Sequence, residues 1–176
     1  RDFLLWFSKN NDNARTQSRV ISGIRAFFRF LLIENEINEN PSTLLESPRI
    51  GLKLPEVLSV EEIDRIISAI DLSKPDGHRN KAIIETLYGC GLRVSELVNL
   101  RFTDIHSGEG FVTVTGKGNK QRLVPISNKA LKEIDNYKTL RNRLPVIYDE
   151  NIVFLNRRGR RLTRAMIFTI IKNLAS

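Results

Sequence analysis

Three prolines in one short stretch decide the gross organisation of this chain. Pro41, Pro48 and Pro55 fall within residues 38–58, NENPSTLLESPRIGLKLPEVL. Proline has no backbone N–H and pushes its predecessor toward extended geometry, so neither a helix nor a central strand runs through this segment. Within the 176 residues, 38–58 is therefore expected to be a linker between a helical N-terminal piece and a second domain.

Before the prolines, Asn13 to Ile33 predicts one long helix. At about 100° per residue, Val20, Ile21, Ile24, Phe27, Phe28, Leu31 and Leu32 share a broad apolar arc, expected to dock on neighbouring helices. Arg15, Arg19, Ser22, Arg25 and Arg29 lie opposite, and no acidic residue stands between Arg15 and Arg29. A guanidinium can fork onto a phosphate or a base edge. An ordinary amphipathic surface helix would share the apolar arc, but a helix held by surface pairs usually alternates its charges.

After the prolines, Ser59 and Glu62 carry a capping-box pattern that starts a helix reaching about Ile70. A helix is expected over Arg79 to Tyr88 and a short one over Ser95 to Leu100, with Gly89-Cys90-Gly91 between them. Gly110 to Thr115 and Gln121 to Ile126 alternate as strands around a basic, glycine-rich turn, Gly116 to Lys120. Ser127 to Leu140 predicts another helix, Ile152 to Leu155 a short strand, and Thr163 to Leu174 a last helix. The expected fold class is mainly α with a small antiparallel β-sheet.

Composition enters through charge. Lys and Arg number 28 against 20 Asp and Glu, a formal +8. The excess is uneven: residues 1–55 carry net +2, residues 56–114 net −4, and residues 115–164 net +9. Such concentration points to a polyanionic partner, although a solvated face that aids solubility has the same composition. No run of about 18 apolar residues exists, which excludes a spanning helix. One cysteine, Cys90, excludes an internal disulfide framework and a Cys-based zinc site. No metal or other cofactor is expected. The sequence opens on Arg1 without Met or a signal-peptide pattern, and it is read as a piece of a longer cytoplasmic protein.

Three constellations could carry chemistry. In Gly91-Leu-Arg93-Val-Ser-Glu96, an arginine sits at a helix start, where exposed N–H groups also favour an anion. Glu96 is placed to hold its guanidinium, though an ordinary surface Arg–Glu pair has the same spacing. Lys117 tips a glycine-flanked turn from which a cation or proton donor could swing into a neighbouring site; the alternative is a merely solubilising hairpin. Arg157, Arg158, Arg160, Arg161 and Arg164 crowd eight residues before a helix, a cluster that repels itself unless an anion neutralises it or a flexible loop disperses it. His78, His106, Tyr88, Tyr137, Tyr148 and Cys90 are read as structural.

The segment Tyr88-Gly-Cys-Gly-Leu-Arg-Val-Ser-Glu-Leu97, followed by Thr115-Gly-Lys-Gly-Asn-Lys-Gln-Arg-Leu-Val-Pro-Ile126, resembles the tyrosine recombinases of the phage integrase superfamily, Xer type. Phe154-Leu-Asn-Arg-Arg-Gly159 and Ala26-Phe-Phe-Arg-Phe-Leu31 extend the resemblance over nearly the whole chain. It implies that residues 1–48 are most of a helical, SAM-like core-binding domain clamping one side of duplex DNA. Residues 56–176 would be the front part of the α+β catalytic domain on the opposite side, with 49–55 as the linker between the two. Arg93 would be the first catalytic arginine, Glu96 its supporting acid, and Lys117 the lysine that protonates the leaving 5′ oxygen. Arg15, Arg19, Ser22, Arg25, Arg29, Lys120, Arg122 and the five arginines from Arg157 to Arg164 are the expected DNA contacts. The family cleaves and rejoins DNA through a 3′-phosphotyrosyl intermediate as tetramers of one or two subunit types on paired sites. It needs neither ATP nor a metal, because cations stabilise the phosphoryl transition state.

A full set of family motifs also includes His-x-x-Arg, a later His or Trp, and the nucleophilic tyrosine. These are not found between Arg1 and Ser176, so this stretch is expected to bind duplex DNA and cut nothing. Chromosome segregation and mobile-element integration are equally compatible roles. A DNA-binding protein of recombinase ancestry without chemistry is the alternative reading, and a basic adaptor for an acidic protein is a third.

Overall fold

The computed structural model describes residues 2–10, 13–51, 54 and 57–175, without the side chains of Leu4 and Lys117. The chain falls into two compact units that divide between Val57 and Leu58. Of the expected linker, Leu52, Lys53 and Pro55 lie outside the described residues.

The first unit is helical. Helix α1 spans Asp2–Asn10, which the sequence reading did not anticipate, and α2 spans Ala14–Ile33. Asn13 caps α2 by accepting from the N–H groups of Arg15 (3.0 Å) and Thr16 (3.3 Å), satisfying donors that have no intrahelical acceptor. The expected apolar arc is narrower in the structure: Ile21 is buried and Val20, Ile24, Phe28 and Leu31 half-buried, whereas Phe27 and Leu32 face solvent. Beyond α2 the chain turns at residues 40–45. There the Asn40 carboxamide accepts from both the backbone and the hydroxyl of Ser42.

The second unit carries the larger core. Helix α3, Val60–Ser68, starts with the Ser59–Glu62 box fully formed, at 2.7 and 3.2 Å. Helix α4, Gly77–Cys90, runs through Gly89 and Cys90, which were expected to lie in a break. Only Gly91 ends it, at φ +59, a left-handed conformation that glycine adopts without a Cβ penalty. A one-turn helix α5, Val94–Leu97, follows.

Strands β1 (Ile105–His106), β2 (Phe111–Thr115) and β3 (Gln121–Pro125) form an antiparallel sheet in that order, with Val114 opposite Arg122. Strand β1 was not foreseen. Helices α6 (Asn128–Arg141) and α7 (Arg164–Ala175) complete the unit. Val112 and Val114 point from the sheet into a core with Ile83 of α4, Leu97 of α5, Ile134 of α6, Ile167 of α7 and Phe154.

Ile152 to Leu155 does not form the expected strand. It makes only isolated bridges, Arg101 to Ile152 and Leu155 to Arg161. Buried arginines bind its carbonyls instead: Arg141 donates to Ile152 (2.8 Å) and Arg79 to Leu155 (3.3 Å). Among the described residues no helix is long and apolar enough to cross a membrane.

Candidate nucleic-acid interface

Arg93 stands at the junction of α4 and α5. Gly91 reverses the chain, Leu92 is buried beneath it, and Arg93 takes the extended geometry of a helix cap (φ −69, ψ 148). Its backbone N–H donates to Glu96 Oε2 (2.8 Å) and its Nη1 to Glu96 Oε1 (3.0 Å). The sequence spacing anticipated this pair.

A second guanidinium joins them. Arg122 of β3 donates from Nη1 to Glu96 Oε1 (2.5 Å) and from Nη2 to Oε2 (2.9 Å), a fork matched to a carboxylate. Arg122, expected as a DNA contact, is engaged by Glu96 and keeps part of its surface exposed. The Glu96 side chain is 3% exposed, against 71% for Arg93 and 41% for Arg122. The Arg122 fork, helped by both Arg93 donors and opposed by burial, holds the Glu96 carboxyl at a pKa of about 2. Hydrogen bonding to Glu96 in turn raises the pKa of Arg122. One buried carboxylate with two guanidiniums leaves a net positive cluster whose outward face is Arg93.

The hairpin lies against this cluster. A Cβ placed on Gly116 would sit 3.9 Å from Arg122 Nη1 and 4.0 Å from Glu96 Oε1. The backbone of Lys117 follows directly, in a 3-10 turn spanning Lys117–Asn119. The side chain of Lys117 is outside those described, and Lys120 is exposed.

The five arginines of the 157–164 stretch are all exposed and differ in their partners. Arg157 reaches Asp76 at the start of α4 (3.1 Å), Arg160 lies over the Tyr148 ring (4.4 Å to the centroid), and Arg161 donates to Asn99 (2.8 Å). Arg158 and Arg164 are exposed. Asp76 is shared with Arg79 (3.4 Å), and Asn99 and Tyr148 are neutral, so the stretch keeps most of its positive charge. Arg161, Glu96, Arg101 and Asn119 line a polar depression of about 490 Å³ between α5 and the hairpin. Arg101 in this depression was not singled out from the sequence, where nothing local distinguishes it.

On α2, Arg15, Arg19, Ser22, Arg25 and Arg29 are all exposed, as their shared face requires. Two are already engaged: Ser22 donates its hydroxyl to the Ser18 carbonyl (2.8 Å), and Arg25 donates to the Leu45 carbonyl. Arg25 thereby ties α2 to the turn after it. Among the described residues no group of His, Cys, Asp or Glu could hold a metal ion.

Residues 56–176 match the family model described as "Phage integrase family". Over 161 residues the chain is 40% identical to tyrosine recombinase XerD of Staphylococcus haemolyticus, covering 91% of this chain and 55% of that protein. Tyrosine recombinase XerD of Lacticaseibacillus casei is 43% identical over 156 residues, covering 88% and 53%. The chain thus spans about half the length of the curated relatives it matches. Among solved structures, XerA recombinase superposes with a TM-score of 0.60 at 27% identity, covering 97% of this chain and 57% of that one. XerH site-specific recombinase, bound to palindromic difH substrate in a post-cleavage complex, superposes with a TM-score of 0.77 over 99% of this chain and 54% of that one. At 22% identity it shares the fold.

Proposed function

The chain belongs to the phage integrase family, and on that premise we propose that it is the DNA-binding and arginine-bearing part of an Xer-type site-specific recombinase. The observation that carries this reading is the buried Glu96, which holds Arg93 at a helix start beside the hairpin of Lys117. A surface ion pair has no need of a carboxylate at 3% exposure forked by a second arginine. An oriented guanidinium with most of its surface free is what a phosphodiester requires.

In this reading Arg93 binds the non-bridging oxygens of the scissile phosphate, and Lys117 protonates the 5′ oxygen as it leaves. The whole protein supplies the attacking tyrosine. We do not assign that role to Tyr137, whose hydroxyl is buried and accepts from the Leu155 N–H (3.1 Å), nor to Tyr148, which lies beneath Arg160. Residues 1–48 grip duplex DNA through the arginine face of α2, and 56–176 through Arg93, Lys120, Arg158 and Arg164. The whole protein works in the cytoplasm as a tetramer on paired recombination sites.

The test is duplex binding as salt is raised. Seven phosphate contacts, from Arg15, Arg19, Arg29, Arg93, Lys120, Arg158 and Arg164, release enough counterions to weaken affinity more than about a thousandfold between about 50 and 200 mM salt. A dissociation constant that hardly moves over that range refutes the reading.

A further inference from the structure

Glu96 offers about four lone-pair directions, and four donors occupy them. Two come from Arg93, three residues away on the same turn, and two from Arg122, which is 26 residues away on a strand. The local pair alone could not fix Arg93. Its helix has only four residues, and an i,i+3 pair with an exposed arginine is weakly held. Arg122 differs because β3 is anchored: its partner across the hairpin is Val114, which is buried in the core. The sheet therefore sets where the Glu96 carboxylate lies, and Glu96 sets where Arg93 points. The same hairpin carries Lys117 at its tip, and Gly116 leads into that tip directly against Glu96.

We propose that Arg122 is a positioning residue, which through its fork on Glu96 fixes the direction of the Arg93 guanidinium and locks it to the hairpin that bears Lys117. The proposal rests on reading Arg93 as a phosphate-binding group, and it removes Arg122 from the expected DNA contacts. Each of its terminal nitrogens already gives one N–H to Glu96. A lysine at this position would keep the charge and lose the fork. The low pKa of Glu96, whose largest cause is Arg122, agrees with this.

A binding cycle with the 176-residue chain and a random-sequence duplex tests it. Affinity is measured at one fixed salt for the wild type, Arg93→Ala, Arg122→Gln and the double variant. Arg93→Ala is expected to weaken binding about tenfold in the wild-type background, the effect of one charge-assisted contact. In the Arg122→Gln background the same change should cost less than about threefold, because Arg93 is no longer aimed. The cycle cancels the charge that Arg122→Gln itself removes. The same tenfold loss in both backgrounds overturns the positioning role and leaves the recombinase reading intact. No loss in the wild-type background overturns the phosphate-binding reading, and the positioning role with it.

Arg122→Lys is expected to fall between, with a loss of about fivefold for Arg93→Ala. It carries the cycle if Arg122→Gln does not fold. The wild-type chain offers an independent check. The Glu96 carboxyl carbon, followed by NMR, should not titrate above about pH 3; a midpoint in the ordinary carboxylate range overturns the proposal.

Discussion

Replacing Glu96 by Gln tests the electrostatic core of the site. The side chain keeps its volume and two polar atoms but loses the charge that both guanidiniums share. Glu96 is ionised with a pKa of about 2 in the folded chain, against an ordinary value of 4.5. Each unit of difference corresponds to about 1.4 kcal/mol, so the shift bounds the effect at about 3.5 kcal/mol. Arg93 and Arg122 are 71% and 41% exposed, and solvent screens part of the attraction. We expect Glu96→Gln to destabilise the second unit by about 2 kcal/mol at neutral pH.

The pH dependence separates charge from packing. A carboxyl whose folded pKa is depressed contributes stability that is fully present above its unfolded value and lost as pH falls through its folded value. The gap between wild type and Glu96→Gln should therefore stay constant from pH 7 to about 5 and shrink steadily toward pH 2. Urea unfolding at a series of pH values measures it, read on the methyl resonances of Leu97 and Val112, both fully buried in this unit. A gap that persists undiminished at pH 2 refutes the argument, because the loss would then come from shape and neutral hydrogen bonds.

Two further substitutions probe the frame around the arginines. Gly159 has φ +70, and a Cβ there would lie 2.0 Å from the Val146 carbonyl oxygen. Gly159→Ala should cost about 3 kcal/mol, whereas Gly118→Ala, at φ +74 with open space, should cost about 1 kcal/mol. Similar losses in urea unfolding for the two would contradict the close approach. Tyr137→Phe removes the acceptor of the buried Leu155 N–H and should cost about 2 kcal/mol. An unchanged midpoint would mean that another acceptor replaces the hydroxyl.

What the sequence disclosed was local. The Ser59–Glu62 box, the Asn13-initiated α2 and the alternation of β2 and β3 depend on neighbours within a few residues. Arg93 and Glu96 are legible for the same reason, since they share a single turn. What stayed hidden depends on distant chain. Strand β1 is two residues long and exists only by pairing with β2. Ile152 to Leu155 has the apolar run of a strand, but buried Arg141 and Arg79 take its carbonyls. Gly89 and Cys90 look like a break next to Gly91, yet only Gly91 has positive φ. Arg122 is one more arginine in a basic hairpin until the sheet places it over Glu96. The partners of the crowded arginines, Asp76, Asn99 and Tyr148, arrive from other parts of the unit.

The most direct test of the account is to map where duplex DNA touches the chain, by backbone and arginine side-chain NMR shifts during titration at low salt. The account predicts that the largest changes fall on Arg93 and its turn, on Lys117 to Lys120, on Arg158 and Arg164, and on the Arg15 to Arg29 face of α2. Silence at Arg93 and the hairpin, with changes confined to α3 and α6, would contradict it.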